Sequence, residues 1–203
     1  MKKAAAMLLT ATLSISILAG CGKSEQPSED QQTADTRNVE IQATAQTTEI
    51  ISPEDDLINY TVKDLELNDV ALADYVKGNK LTMINIWGTF CGPCISEMPA
   101  LGEIERRYKD KGFEIVGLTC DVYDLHGNYD ESVIADARAI IEDTGITYPV
   151  LIAPTQLMLD IGLQYVPTTY FLDSEGNVLG NAEIGSKTSV EWEDVINMYL
   201  SQE

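Results

Sequence analysis

Cys91 and Cys94, separated by Gly92-Pro93, are the residues of this chain whose type and spacing most plainly carry chemistry. The preceding run Leu81-Thr82-Met83-Ile84-Asn85-Ile86-Trp87 is apolar and reads as a buried strand, so the order is strand, turn, helix. A thiol at such a helix start meets unpaired backbone N–H groups and the positive end of the helix dipole. Both favour thiolate over thiol. The thiolate is the attacking species in disulfide exchange, and a second cysteine this close resolves the mixed disulfide. The pattern points to thiol–disulfide exchange between a Cys91–Cys94 redox pair and a protein or peptide disulfide, a chemistry that requires neither a metal nor an organic cofactor.

Other uses of these cysteines fit less well. A zinc site wants about four ligands, and a copper carrier wants histidine beside its thiolates. Only Cys120 and the single histidine, His126, remain for that purpose once Cys21 is assigned to the N-terminus. His126 lies in the loop Leu125-His126-Gly127-Asn128 and reads as solvated. Cys120 follows an apolar run and reads as a small buried hydrophobe, with a third redox thiol as the alternative. A thiol peroxidase with antioxidant activity would use a lone cysteine of low pKa and a distant resolving thiol, which the tight spacing disfavours. A metal-carrying or docking module is the non-enzymatic alternative.

The elements that must position the pair follow from punctuation and periodicity. Short extended pieces are expected at Tyr60-Thr61-Val62 and Leu65-Glu66-Leu67, then a short helix over residues 72–76. After the strand Leu81–Trp87, a helix runs from Cys91 to about Lys109, stopped by Gly112. Pro93 is tolerated in its first turn, and Pro99 should bend it. Phe113–Thr119 is the next strand, and Asp130 caps a helix reaching Asp143. The acidic residues 121–131 between them read as a solvated insertion, with partner docking as the alternative. A strand over 149–152, a helix over 155–161, strands over 168–172 and 177–184, and a helix over 189–200 complete the chain. Such an order describes an α/β domain: a central mixed β-sheet flanked by helices on both faces.

The N-terminus places this chemistry. Met1-Lys2-Lys3 is basic and residues 4–20 carry no charge, which is an export signal too short for a typical spanning helix. It ends Leu18-Ala19-Gly20-Cys21, which resembles a bacterial lipoprotein box; the resemblance implies lipidation of Cys21 after removal of residues 1–20, with ordinary secretion or an uncleaved helix as the alternatives. Residues 21–54 form the lipidated end and a polar tether with no aromatic residue. A flexible tether of roughly 30 residues reaches about 30 Å. The folded domain is expected over 55–203, lipid-anchored at the cell membrane on the extracytoplasmic side. The net charge of −20 repels nucleic acid and makes a nucleic-acid partner unexpected.

Three stretches together resemble the membrane-anchored thioredoxins of the TlpA/ResA type: Trp87-Gly88-Thr89-Phe90-Cys91-Gly92-Pro93-Cys94, Val166-Pro167-Thr168-Thr169, and Phe171-Leu172-Asp173-Ser174-Glu175-Gly176-Asn177-Val178. The resemblance implies a thioredoxin-like fold, disulfide reduction outside the cytoplasm, and a membrane thiol carrier as electron donor. It makes Cys91 the attacking sulfur and Cys94 the resolving one, with Gly92 and Pro93 setting the redox poise between them. Pro167 matches the cis-proline beside the site, which leaves the backbone of Val166 to pair with a bound peptide. Trp87 floors the site as a contact for the substrate, fills the core, or does both. Two positions depart from the pattern: Phe90 stands where tryptophan is common, and Asn85 where cytoplasmic thioredoxins carry a buried aspartate. Asn85 cannot ionise, so the acceptor of the resolving thiol's proton must lie elsewhere. Glu97, three residues after Cys94 on the same helical face, matches an acidic position of ResA-type reductases; a carboxylate that merely favours the helix dipole is the alternative.

Overall fold

A computed structural model describes residues 57–202. The expected lipoprotein box with Cys21 and the expected tether lie outside the described residues. The elements are β1 (Thr61–Lys63), β2 (Asp69–Ala71), α1 (Ala73–Val76), β3 (Leu81–Trp87), α2 (Gly92–Tyr108), β4 (Phe113–Thr119), α3 (Glu131–Thr144), β5 (Val150–Ile152), α4 (Thr155–Asp160), β6 (Thr168–Asp173), β7 (Glu183–Ile184) and α5 (Ser189–Leu200). Among the described residues no helix is long and apolar enough to cross a membrane.

The seven strands form one sheet in the order β2-β1-β5-β4-β3-β6-β7. β3, β4 and β5 run parallel, while β6 is antiparallel to β3 and β1 to β5. Every residue of β3 is buried, as a strand covered on both faces requires. Its alternation sorts the two layers. Leu81, Met83 and Trp87 face a core built with Met98, Leu101 and Ile104 of α2, Ala137 of α3, and Trp192, Ile196 and Tyr199 of α5. Ile84 and Ile86 face the opposite core, with Val76 of α1 and Leu157 of α4. The expected mixed sheet between two helical layers is the observed thioredoxin-like fold.

Helix ends follow their signals. Asp130 caps α3 by accepting from the Ser132 N–H, and Gly145 closes it in the left-handed region at φ 65°. α5 opens on a capping box between Thr188 and Glu191. α2 passes Pro99 without a break.

Two expectations are corrected. Residues 65–67 are a turn rather than an extended piece, with Leu67 at φ 67°. The Asp64 carboxylate causes this, accepting from the backbone N–H of Glu66 and Asn68 and from the Asn68 amide. The strand over 177–184 is broken: Val178 makes a single bridge to Leu172, Gly180 turns at φ 67°, and only Glu183–Ile184 pairs again as β7. The same aspartate device recurs at Asp124 with Asn128 and at Asp173 with Asn177.

Candidate active site

β3 delivers its C-terminal end, Trp87, to a turn closed by the Cys91 N–H donating to the Gly88 carbonyl at 3.0 Å. Cys91 then caps α2 in an extended conformation, and the Cys94 N–H donates to its sulfur at 3.2 Å. This contact and the helix dipole both act on the Cys91 sulfur, the arrangement that favours a thiolate. Pro93 falls in the first turn, where its missing N–H leaves no gap. Cys91 and Cys94 are joined as a disulfide. Cys91 is 6% exposed and Cys94 1%, so Cys91 is the sulfur a second molecule meets first. Gly92 and Pro93 are exposed between them.

The second wall is the segment entering β6. Because β6 pairs with β3 from Ile86–Thr168 onward, its N-terminal end lies beside the β3–α2 turn. The Val166–Pro167 peptide bond is cis, and the Val166 carbonyl oxygen lies 3.7 Å from the Cys91 sulfur. Val166 is half-buried and Pro167 buried. Trp87, expected to touch a substrate, does not reach the surface: its side chain is fully buried in the core with Cys91, Cys94 and Met98. The exposed aromatic rings here are Phe90, at 71%, and Tyr165, just before Val166, at 64%.

Beneath the disulfide lies a polar pair that the sequence suggested only in part. Glu97 is 5% exposed, on the same buried face of α2 as Cys94. One carboxylate oxygen accepts from the Lys187 N–H at 3.0 Å and the Trp192 indole N–H at 3.1 Å. The other accepts from the Asn85 amide at 3.4 Å. Burial pushes the Glu97 carboxyl above the usual carboxylate range, against the lowering effect of these donors and of the Lys187 charge. Asn85 also donates to the Thr169 hydroxyl at 3.1 Å. Its identity now has a reason: an aspartate at 85 would set a second carboxylate against Glu97, whereas an amide donates to it. The alternative, a carboxylate serving only the helix dipole, does not explain why Glu97 is inward-facing and bonded to three other segments.

Cys120 is partly buried on the opposite face of the sheet. Burial, with the neighbouring Asp121 carboxylate, pushes its thiol up to about 12. A thiol held protonated does not attack, so the reading of Cys120 as a small hydrophobe is the one the structure favours. His126 is exposed in the Asp124–Asn128 turn.

The residue that sequence reasoning passed over is Asp121, just beyond the C-terminal end of β4. Its Oδ2 accepts from the Thr89 N–H at 2.9 Å and the Thr89 hydroxyl at 2.6 Å, and its Oδ1 from the Thr119 hydroxyl at 2.7 Å. The available signal was topological: parallel neighbouring strands bring their carboxyl ends together at the site.

Comparison with known proteins agrees with this geometry. The profile of the AhpC/TSA family matches residues 53–180. The thiol-disulfide oxidoreductase ResA of Bacillus thuringiensis (strain Al Hakam) is 33% identical over 136 residues, covering 66% of this chain and 71% of that protein. The ResA of Bacillus subtilis (strain 168) is 30% identical over 151 residues, covering 74% and 77%. Among solved structures, a thioredoxin-family thiol:disulfide interchange protein from Chlorobium tepidum superposes with a TM-score of 0.56 at 22% identity, covering 70% of this chain and 92% of that one, and so shares the fold.

Proposed function

The chain belongs to the AhpC/TSA family and is a thiol–disulfide oxidoreductase, and from that premise we propose that it is a membrane-anchored, extracytoplasmic reductase of protein disulfides. The observation that carries the reading is the pairing of Cys91, at the start of α2 and the more exposed of the two, with the fully buried Cys94, beside the cis Val166–Pro167 backbone.

In the reductive direction the Cys91 thiolate attacks one sulfur of a substrate disulfide. A Cys91–substrate disulfide forms, and the other substrate sulfur leaves as a thiolate and takes a proton. Cys94, its proton passed to Glu97, attacks the Cys91 sulfur. The Cys91–Cys94 disulfide forms, and the second substrate thiolate leaves and is protonated. Two electrons and two protons thus pass from the dithiol to the substrate. A membrane thiol carrier restores them by the same exchange run backwards. The Val166 backbone, exposed Gly92 and Pro93 are the surfaces that hold the substrate peptide. Haem-site cysteines of apocytochrome c, or another extracytoplasmic redox enzyme, are oxidised partners of the right chemistry.

A thiol peroxidase is the second reading that the family match raises. It needs a resolving thiol away from the attacking one. Within the described residues the remaining thiol is Cys120, which is held protonated. Mixing the reduced protein with oxidised insulin and, separately, with hydrogen peroxide tests the choice. The expected result is one insulin disulfide reduced per Cys91–Cys94 disulfide formed, with peroxide consumed no faster than by a free dithiol. Rapid peroxide consumption with insulin untouched would reverse the assignment.

The anchor is supported by the Leu18-Ala19-Gly20-Cys21 sequence, which provides a sulfur for lipid attachment. Palmitate labelling in a bacterial host should mark the wild-type protein and fail to mark Cys21→Ala, which is expected in the soluble extracytoplasmic fraction or in its uncleaved form. Equal labelling of the two proteins would remove the anchor from the account.

A further inference from the structure

The turn 88–91 carries the attacking sulfur; Gly88 and Cys91 at its ends are buried, while Thr89 and Phe90 between them are not. Phe90 points outward, with its ring lying back over Gly88 so closely that a Cβ built there would sit 2.5 Å from the ring. The last backbone bond joining the β3 and β4 ends is the Cys120 N–H donating to the Trp87 carbonyl at 2.9 Å. Past that bond the two chains separate, one into the turn and α2, the other into residues 121–130. The Asp121 side chain spans the divergence. Asp121 takes both the N–H and the hydroxyl of Thr89 on one oxygen and the hydroxyl of Thr119 on the other. Thr119 is buried at the end of β4, so the clamp is anchored in the rigid sheet. Hydrogen bonds to a carboxylate are roughly twice as strong as neutral ones.

We propose that Asp121 is the positioning residue for the Cys91 nucleophile, holding Thr89 so that the turn presents the sulfur in line with an incoming disulfide. The proposal rests on the reading of Cys91 as the attacking sulfur. It assigns Asp121 no contact with substrate; it acts through Thr89, two residues before the sulfur. In-line displacement is sensitive to aim, and a misplacement of about 1 Å costs on the order of 100-fold in rate. Asp121 is also an anion near the start of α2, where its charge alone would oppose a thiolate. Position and charge therefore predict opposite consequences for its removal: loss of position slows attack, whereas loss of charge favours the thiolate and speeds attack at low pH.

The test isolates the attack step. In a Cys94→Ala background, mixed-disulfide formation by Cys91 is followed with a small chromogenic aromatic disulfide across the pH range, which separates the limiting rate from the titration midpoint. Asp121→Ala should lower the limiting rate about 10- to 100-fold. Asp121→Asn, which keeps an acceptor for Thr89 and loses the charge, should recover most of that rate. Thr89→Ala should slow the same step by less, because the Thr89 N–H bond survives. The double variant should be no slower than Asp121→Ala, since both lose one shared interaction. An Asp121→Ala rate within about twofold of its parent would overturn the proposal. So would an Asp121→Asn loss equal to that of alanine, because restoring an acceptor for Thr89 would then restore no rate. If Asp121→Ala does not fold, Thr89→Ala decides, and an unchanged limiting rate there overturns the proposal. Cys91→Ala serves as the separate control: exchange that persists without Cys91 would refute the attacking-sulfur reading itself.

Discussion

Cys94→Ala is expected to turn the protein into a trap. Cys91 keeps its place at the helix start, where the backbone N–H of residue 94 still reaches its sulfur, but the second displacement has no attacking sulfur. Incubated with oxidised protein substrates, the variant should accumulate disulfide-linked adducts at Cys91 that collapse on adding dithiothreitol. Turnover should fall by at least about 1,000-fold, because an external thiol at millimolar concentration replaces a neighbour whose effective molarity is orders of magnitude higher. Cys91→Ala should lose turnover equally and form no adducts. The asymmetry between the two variants is the informative part. It follows from their exposures, 6% for Cys91 and 1% for Cys94, which leave Cys94 poorly placed to meet a substrate. Equal adduct formation by both variants would contradict the assignment of roles.

Glu97→Gln is expected to slow release of the second substrate thiol while leaving the first attack nearly unchanged. Proton transfer to a placed base contributes about 10²- to 10⁴-fold, and a loss at the lower end is expected because water can partly substitute. The pH dependence supplies the sign. Burial raises the Glu97 pKa, so the carboxyl is protonated over a range where an exposed one is ionised. A protonated Glu97 cannot accept the Cys94 proton. The wild-type release rate should therefore climb with pH through this raised titration, and the glutamine variant should lack that climb. Stability runs the other way. A carboxyl whose folded pKa is raised contributes stability fully present below its unfolded pKa and lost as pH rises through the folded one. Urea unfolding should show the glutamine variant gaining on wild type as pH rises from about 4 to 8. Asn85→Asp supplies the converse: a second buried carboxyl beside the first should push the release titration higher and deepen the loss of stability at neutral pH. Identical release-rate profiles for wild type and Glu97→Gln would leave Glu97 a structural residue.

The parts of this molecule that were readable from the sequence are those that local rules decide. The β3 run and the helix start at Cys91 depend on neighbours in the chain, as do the Asp130 cap and the glycine stops at Gly112 and Gly145. The misread turn at 65–67 was local too: Asp64 and Asn68 form the same Asp-x-x-x-Asn loop as Asp124–Asn128 and Asp173–Asn177, and recognising one should have disclosed all three. The segment 177–184 reads as one strand because the turn over residues 173–176 signals a hairpin, and that signal does not register the left-handed turn at Gly180. The site's supporting contacts are different in kind. Glu97 meets donors 90 and 95 residues further along, and Thr89 meets Asp121 across 32. Those meetings are products of sheet order and of where α5 packs. Helical spacing identified Glu97 as facing the same way as Cys94, yet its three donors and the reason for Asn85 emerge only once β3, α2 and α5 are assembled. Trp87, open to either a core or a site role in the sequence, is settled by the layer above β3, which buries it completely beside Cys91 and Cys94 and leaves it no contact with a substrate.

The Cys91–Cys94 dithiol acts as a reductant, and its reduction potential tests that most directly. Equilibration of the purified protein with defined ratios of reduced and oxidised dithiothreitol, with the pair's state read by thiol alkylation, should give a value near the −270 mV of thioredoxin, about the range of reducing dithiols. A value near −120 mV, about that of a strong protein oxidant, would contradict it, because such a pair would take electrons from substrate thiols instead of supplying them.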